Sequence, residues 1–98
     1  MPIQVVYTNR YKLSFRSIYL HFKDVDEYEG TSLAEYLPQY VDLAIENICK
    51  YPDAYPNYRL SLSRRYTLEK FKSHYIIYNY NSVNQVITLL EIRGYKQK

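Results

Sequence analysis

The sequence predicts a two-layer α+β domain in which a helical hairpin packs on one face of a small, mostly antiparallel sheet. Three observations predict this fold. A short β-rich run stands near the start, two stretches with helical apolar spacing follow, and three more β-rich runs fill the second half. The element order is therefore β-α-α-β-β-β. Because two independent cores would not fit in 98 residues, we expect residues 1–98 to form one domain.

The first strand and the first helix are predicted within residues 3–30. The run IQVVY at 3–7 is β-rich, and Thr8 or Asn9 can cap a helix directly after it. We expect the helix to end between residues 26 and 30. Spacings of 4, 3, 4 and 3 place five residues on one apolar stripe of this helix: Tyr11, Phe15, Ile18, Phe22 and Val25.

A second helix is predicted to start at Thr31 or Ser32, where Ser32 and Glu35 have the spacing of a capping box. Pro38 leaves two alternatives: the helix begins at Pro38, or it kinks after a first turn. Pro52 ends it, because the residue before a proline is pushed out of the helical region. The same 4, 3, 4, 3 spacing gives its apolar stripe: Leu37, Val41, Ala44, Ile48 and Tyr51.

The C-terminal half predicts three strands, over residues 65–71, 74–80 and 85–92. The breaks at 72–73 and 81–84 are short enough for antiparallel hairpin turns. The middle run, HYIIYNY, is apolar or aromatic on both faces, which favours a central position in the sheet. With the helices on one side, the other face of this strand would form a shallow concave surface.

Charge is unevenly distributed along the chain. The net charge is only +3, yet residues 1–23 carry four bases and no acid, and residues 24–46 carry seven acids and no base. Residues 47–98 carry nine bases and three acids. This pattern is expected when one surface meets a polyanion, although the acidic block is better explained as a solvated helix face.

Several classes of protein are disfavoured. A single cysteine, Cys49, rules out an internal disulfide, and without an apolar leader it points to a cytoplasmic protein. No apolar run approaches the roughly 20 residues that span a bilayer, so no membrane association is expected. His21, His74 and Cys49 lie too far apart for metal-ligand spacing, and the acidic stretch 24–35 lacks the glycine position of a calcium loop. We therefore expect no metal and no cofactor.

Two reactive residue types are given structural interpretations. Cys49 lies beside the apolar stripe of the second helix, which favours a buried and inert thiol. His74 opens the central strand, and a lone histidine is more often structural than catalytic.

The basic residues of the C-terminal half are the strongest candidates for a functional site. Arginines on rigid strands can hold a phosphate in a fixed fork, and tyrosines beside them can stack on bases. The alternative is an ordinary basic sheet edge that prevents pairing with other chains. The basic set is Arg64, Arg65, Lys70, Lys72, Arg93, Lys96 and Lys98, and the interleaved tyrosines are Tyr66, Tyr78, Tyr80 and Tyr95.

Five segments together resemble a known family. They are CKYP (49–52), YP (55–56), RRYTL (64–68), YIIY (75–78) and VITLLEIR (86–93). In this order and spacing the sequence resembles the RelE/ParE superfamily of toxins from bacterial type II toxin–antitoxin systems. The resemblance covers residues 48–95 by motif and residues 1–47 by pattern, and it implies the β-α-α-β-β-β fold predicted above.

The resemblance implies a cytoplasmic toxin that a cognate antitoxin protein neutralises. RelE-like members enter the ribosomal A site and cleave mRNA without a metal, which makes the ribosome and mRNA the expected partners. Carried over residue by residue, the resemblance implies catalytic roles for Arg65, Arg93 and Tyr95. It implies nucleic-acid contacts for four further residues: Arg64, Lys70, Lys72 and Lys96.

Two alternatives remain within the same resemblance. ParE-like members are not enzymes and poison DNA gyrase, and an inactive chain that only binds an antitoxin is also compatible. The sequence departs from the nuclease pattern in three ways. No histidine follows the last strand, the tail ends three residues after Tyr95, and the stretch YRLS at 58–61 holds one base where the family has a lysine cluster.

Overall fold

A computed structural model of the protein describes residues 3–25, 33–59, 61–68 and 74–94. Within these ranges the predicted β-α-α-β-β-β order is confirmed. The elements are β1 (Gln4–Tyr7), α1 (Asn9–Val25), α2 (Leu33–Lys50), β2 (Arg64–Thr67), β3 (His74–Asn81) and β4 (Val86–Gly94).

The strands form one mixed sheet in the order β1-β4-β3-β2. β3 pairs antiparallel with both β2 and β4, so its predicted central position is confirmed. β1 pairs with β4 and runs parallel to it, from Gln4 opposite Val86 to Tyr7 opposite Leu89. A parallel pair requires a long crossover connection, and here the chain between β1 and β4 contains both helices.

Thr8 is the residue that caps α1 and ties it to the sheet. Its hydroxyl oxygen accepts a hydrogen bond from the backbone N–H of Tyr11 at 3.1 Å, as an N-cap does. The same hydroxyl donates to the carbonyl of Leu89 at 2.8 Å. Further along α1, the Ser14 hydroxyl accepts from the backbone N–H of Ile92 at 3.0 Å. Two short polar side chains thus fix the orientation of α1 on β4.

The apolar stripes of both helices meet the sheet in one core. Tyr11 and Ile18 of α1 are buried there, with Phe15 and Phe22 packed at the margin. From α2 and the sheet the core takes residues that are almost fully inaccessible: Leu37, Val41, Ala44, Ile48, Leu68, Ile76, Tyr78, Ile87, Leu89 and Ile92. Both predicted stripes are confirmed at these positions, except that Tyr51 is 61% exposed because the helix has already ended at Lys50.

The observed start of α2 excludes the alternative in which the helix begins at Pro38. The helix is already formed at Leu33, so Pro38 lies inside it and is not its first residue. The helix ends before Pro52, as predicted. The predicted capping box at Ser32 and the turn at 72–73 lie outside the described residues. The strand predicted over residues 65–71 is observed as β2, Arg64–Thr67, and residues 69–71 lie outside the described residues.

Candidate nucleic-acid interface

The two faces of β3 carry different side chains because residues alternate along a strand. Ile76 and Tyr78 are fully buried in the core with the helices. Tyr75 and Ile77 lie on the opposite face, where they are 6% and 5% exposed. We call this second side the open face of the sheet.

Strand register places two rows of residues across the open face. In one row Thr67, Tyr75 and Arg93 are neighbours on β2, β3 and β4. In the next row Arg65, Ile77 and Glu91 are neighbours on the same three strands. Arg65 and Arg93 therefore share a face but lie in different rows, with β3 between them.

A bulge in β4 shapes the centre of this face. Ile77 pairs with Glu91 and the next residue, Tyr78, pairs with Leu89, which leaves Leu90 as an extra residue in β4. Bulges of this kind bend a strand and redirect its side chains. Here Leu90 and Glu91 are consecutive in β4 and both line a cleft.

The cleft has a volume of about 530 Å³ and an apolar floor. Ile77 and Leu90 contribute the floor, and polar side chains from three parts of the chain surround it. Those polar residues come from the start of α1, from the loop before β2 and from β4: Thr8, Arg10, Tyr58, Arg59, Ser61, Ser63, Glu91 and Arg93.

Backbone hydrogen bonds hold the loop before β2 against the sheet. The N–H of Tyr58 donates to the carbonyl of Ser63 at 2.7 Å, and the N–H of Arg65 donates to the carbonyl of Pro56 at 3.0 Å. Between them Arg59 has φ of 56°, in the left-handed region that non-glycine residues rarely adopt. This conformation turns the chain so that Tyr58 and Arg59 both reach the cleft.

Tyr58, which lines the cleft, is the centre of a basic and aromatic cluster. Its ring centroid lies 5.8 Å from that of Tyr75, and the Arg59 guanidinium carbon lies 5.1 Å from it. A guanidinium over a tyrosine ring at this distance is a cation–π contact. The Tyr58 hydroxyl accepts a long hydrogen bond of 3.5 Å from Nη1 of Arg93. Tyr58, Arg59, Tyr75 and Arg93 thus form one connected group, which we call the arginine–tyrosine cluster.

The environment of Tyr75 keeps its hydroxyl protonated. Burial raises the pKa of Tyr75, and its hydrogen bond with Tyr58 raises the pKa further. The nearby guanidinium groups of Arg93 and Arg59 act in the opposite direction on that pKa but do not reverse it. At neutral pH Tyr75 can therefore donate a hydrogen bond, and it is a poor base.

Arg10 and Glu91 form the wall of the cleft near the start of α1. Nη2 of Arg10 lies 3.4 Å from Oε2 of Glu91. The Arg10 side chain is 75% exposed, whereas that of Glu91 is 21% exposed. An ion pair with one partner so exposed contributes little to stability, about 0–1 kcal/mol.

Arg64 and Arg65 are adjacent in the sequence, but they lie on opposite faces of the sheet. Arg65 is partly buried on the open face, opposite Ile77, and lies outside the lining of the cleft. Arg64 lies on the helix side, where Nη1 donates to the carbonyls of Asp53 at 3.1 Å and Tyr55 at 2.7 Å. Its Nη2 is also 3.6 Å from Oδ1 of Asp53. Arg64 therefore anchors the loop after α2, and its predicted contact with nucleic acid stays a prediction.

Of the other predicted site residues, only Arg93 lies in the described cleft. Tyr95, Lys70, Lys72 and Lys96 lie outside the described residues, so their predicted roles stay predictions. Of the four tyrosines proposed for base stacking, Tyr95 lies outside the described residues, and Tyr66, Tyr78 and Tyr80 are turned toward the core. Tyr78 is fully buried with its hydroxyl donating to the carbonyl of Pro52 at 2.8 Å, and Tyr66 packs against the core.

Sequence reasoning missed most of the arginine–tyrosine cluster. Tyr58 and Arg59 lie in the stretch 58–63, for which the sequence leaves open an extended loop or the start of a strand, and Tyr75 belongs to the run predicted as the central strand. The available signal was the alternation of side chains along β3, which places Tyr75 and Ile77 on the face opposite to Ile76 and Tyr78. The left-handed turn at Arg59 leaves no clear trace in the sequence, because left-handed residues are usually glycine or asparagine.

The two structural interpretations of reactive residues are compatible with the structure. Cys49 is partly buried beside the core, and this burial raises the pKa of its thiol. His74 is partly buried with its ring centroid 5.3 Å from that of Phe22. Burial lowers the pKa of His74, and His21 nearby lowers the pKa further.

Comparison with known proteins gives a match in structure and none in sequence. No family model matches the chain, and no curated protein matches it. A chain of the toxin–antitoxin complex RelBE2 from Mycobacterium tuberculosis has a TM-score of 0.64 and 10% identity, with 96% of this chain and 99% of that chain covered. A chain of the chromosomal ParDE toxin–antitoxin system from P. aeruginosa has a TM-score of 0.62 and 15% identity, with 95% and 96% covered.

These likenesses establish the fold. The expected RelE/ParE-like fold is confirmed over nearly the whole chain, since both neighbours are covered almost end to end. Across the described ranges, the helices are too short or too polar to cross a membrane. Among the same residues there is no group of three or more histidine, cysteine or acidic side chains that could hold a metal ion.

Proposed function

We propose that this protein is the toxin of a type II toxin–antitoxin module and inhibits translation as a ribosome-dependent mRNA endoribonuclease. One observation carries the proposal. Arg93 and Arg59 line the same cleft as Tyr58, whose ring packs against Tyr75 on the sheet face opposite the helices. Arginines beside tyrosines favour an anionic ligand, and a single-stranded nucleic acid can use both the charge and the aromatic rings.

Arg93 is the group best placed to hold the scissile phosphate. It stands on a paired strand, so its backbone is rigid, and a guanidinium can grip two phosphate oxygens at once. Its long contact with the Tyr58 hydroxyl is weak enough for a phosphate oxygen to replace it. Arg59 and Arg65 extend the positive surface to either side and would contact neighbouring phosphates.

The proposed reaction is an internal transesterification of RNA. The 2′-oxygen forms a bond to phosphorus, the bond from phosphorus to the 5′-oxygen breaks, and a 2′,3′-cyclic phosphate and a 5′-hydroxyl result. One proton leaves the 2′-hydroxyl and one joins the 5′-oxygen, so the step needs neither water nor a cofactor. Arg93 would offset the charge that develops on the phosphate oxygens. Tyr95 is proposed to assist proton transfer.

The proposed partners follow from the same assignment. Both structural neighbours are chains of toxin–antitoxin complexes, which supports a cognate antitoxin protein as the physiological partner. The targets would be mRNA and the ribosome, and the proposed location is the cytoplasm.

A second candidate is a non-enzymatic inhibitor of DNA gyrase. One observation favours it: the helical hairpin exposes large apolar side chains, at Leu13 and Leu20 on α1 and at Tyr36 and Leu43 on α2. Apolar side chains on a helical surface suit a protein target better than a nucleic acid. In this case the arginines of the open face would be dispensable.

Expressing the protein alone separates these possibilities. Protein synthesis and DNA replication are followed separately after induction in bacterial cells without an antitoxin. We expect translation to stop first. If replication stops first, the gyrase assignment replaces ours, and if growth continues undisturbed the chain is an inactive antitoxin-binding protein.

A further inference from the structure

Glu91 is the acidic residue in an otherwise basic cleft. Among the described residues that line the cleft it is the single carboxylate, beside Arg10, Arg59 and Arg93. Its side chain is 21% exposed and faces the same side of β4 as Arg93, two residues further along. A carboxylate opposes the binding of a polyanion, so its place in this cleft calls for a specific contact.

The ion pair with Arg10 does not explain that position. The single contact between Nη2 and Oε2 is 3.4 Å long, and the Arg10 side chain is three-quarters exposed. Such an exposed ion pair contributes little to the free energy of folding. It occupies one of the two carboxylate oxygens of Glu91. Glu91 lines the cleft and therefore retains acceptor capacity for a ligand that binds there.

The floor of the cleft suits a flat, apolar ring. Ile77 lies opposite Glu91 on β3, and Leu90 projects beside it from the bulge. The Tyr58 ring is already in contact with Arg59 and with Tyr75. A base entering the cleft would therefore lie on the aliphatic floor, with its edge toward Glu91.

We propose that Glu91 recognises an unpaired guanine, by accepting two hydrogen bonds from the N1–H and N2–H₂ groups of its Watson–Crick edge. This inference rests on the proposed function, since it assigns a base to the cleft that holds the RNA. Arg93 follows on the same face, roughly 7 Å along the strand. A phosphate on Arg93 and a guanine on Glu91 can therefore belong to the same or to adjacent nucleotides.

The donor pattern of guanine distinguishes it from the other three bases. Guanine presents two adjacent N–H donors, which match the two oxygens of a carboxylate. Adenine and cytosine each present one amino donor beside a ring nitrogen that accepts, and uracil presents one donor between two carbonyl oxygens. A bidentate contact of this kind discriminates by about tenfold or more against a base that cannot make it.

The test measures binding of short single-stranded RNAs to the full-length protein at low salt by fluorescence anisotropy. Each RNA is a run of uridines with one central guanosine, inosine, adenosine or cytidine. Inosine keeps N1–H and lacks the amino group, so it isolates the second hydrogen bond. The proteins are the wild type, Glu91→Gln, Arg10→Ala and Arg93→Ala.

We expect the wild type to bind the guanosine RNA about tenfold more tightly than the inosine RNA. Glu91→Gln should bind the two within about twofold of each other, because its amide offers one acceptor in place of two. Arg10→Ala should keep the guanosine preference, since it leaves the carboxylate in place.

The outcomes separate failure of the guanine site from failure of the RNA site. Binding that is weakened by Arg93→Ala but shows no preference among the four RNAs would overturn the role of Glu91 alone. A guanosine preference that persists in Glu91→Gln would do the same. Absence of binding by the wild type, or binding unaffected by Arg93→Ala, would overturn both assignments.

Discussion

The hydroxyl of Tyr58 lies 3.5 Å from Nη1 of Arg93, although the two residues are 35 positions apart in the chain. Tyr58 belongs to the loop before β2, and Arg93 lies on β4 with β3 between the two strands. Their contact passes over Tyr75, which is the β3 neighbour of Arg93. The loop before β2 thus reaches across the open face and completes a site whose other half is on the sheet.

Replacing Arg93 with alanine should remove toxicity with little change in stability. The guanidinium is the proposed phosphate ligand, and losing such a charge commonly lowers a rate by about a hundredfold or more. Arg93 makes one long hydrogen bond to Tyr58, which contributes little to folding. Growth after induction measures toxicity, and thermal unfolding measures stability.

Arg16→Ala is the matched control for this experiment, because Arg16 is an exposed arginine on α1, away from the open face. It removes the same charge and should remain fully toxic. An Arg93→Ala variant that is as toxic as the Arg16→Ala variant would remove Arg93 from the proposed mechanism.

Arg64 and Arg65 should respond in opposite ways to alanine substitution. Arg64 donates to the carbonyls of Asp53 and Tyr55, so Arg64→Ala should lower the free energy of unfolding by about 1–2 kcal/mol. Arg65 lies on the open face, and Arg65→Ala should reduce toxicity while the unfolding midpoint in denaturant stays unchanged. The assignment of faces would be wrong if Arg65→Ala were the destabilising substitution.

Arg59 and Gln85 are the non-glycine residues with positive φ in the described part of the chain, and they permit a test that separates backbone strain from RNA binding. Arg59 has φ of 56° and Gln85 has φ of 55°, and glycine adopts this conformation without the steric penalty. We expect each glycine substitution to raise the free energy of unfolding by about 1 kcal/mol. Only Arg59→Gly should also weaken RNA binding, because Gln85 lies in the turn between β3 and β4. Equal RNA binding by the two variants would argue against Arg59 as a cation of the site.

Stability should fall in mild acid because of His74. Burial lowers its pKa in the folded protein, so the unfolded chain binds a proton more readily. The stability contributed by neutral His74 is present above about pH 6.5 and is lost as pH falls toward its lower folded-state pKa. The free energy of unfolding, measured in denaturant at several pH values, should decrease as the pH falls below about 6.5. The slope of this free energy against pH should be smaller in His74→Gln.

His21→Gln serves as the comparison for that slope. Burial is the larger cause of the lowered pKa and the charge of His21 the smaller, so most of the slope should remain in this variant. A slope that disappears in His21→Gln but persists in His74→Gln would contradict the assignment.

The helices were predictable from sequence because their signal is local. The stripe of Leu37, Val41, Ala44 and Ile48 repeats at helical spacing, and burial of that stripe follows directly from it. The central place of β3 was predictable for a similar reason. Ile76 and Ile77 face opposite sides of the strand, and both are apolar and buried.

The site was less predictable because it depends on long-range register. Arg64 and Arg65 are adjacent, and only the pairing of β2 with β3 decides which of them reaches the open face. The bulge at Leu90 and the parallel pairing of β1 with β4 likewise arise from contacts far apart in the chain. The position of Tyr58 depends on a left-handed Arg59, which local propensity disfavours.

The most direct test of the central claim is to map RNA ends in a bacterial translation reaction supplied with the purified protein. We predict cleavage of mRNA on ribosomes, with 2′,3′-cyclic phosphate and 5′-hydroxyl ends, in the wild type and not in Arg93→Ala. Intact mRNA in the presence of the wild type, or the same cleavage by Arg93→Ala, would contradict the account.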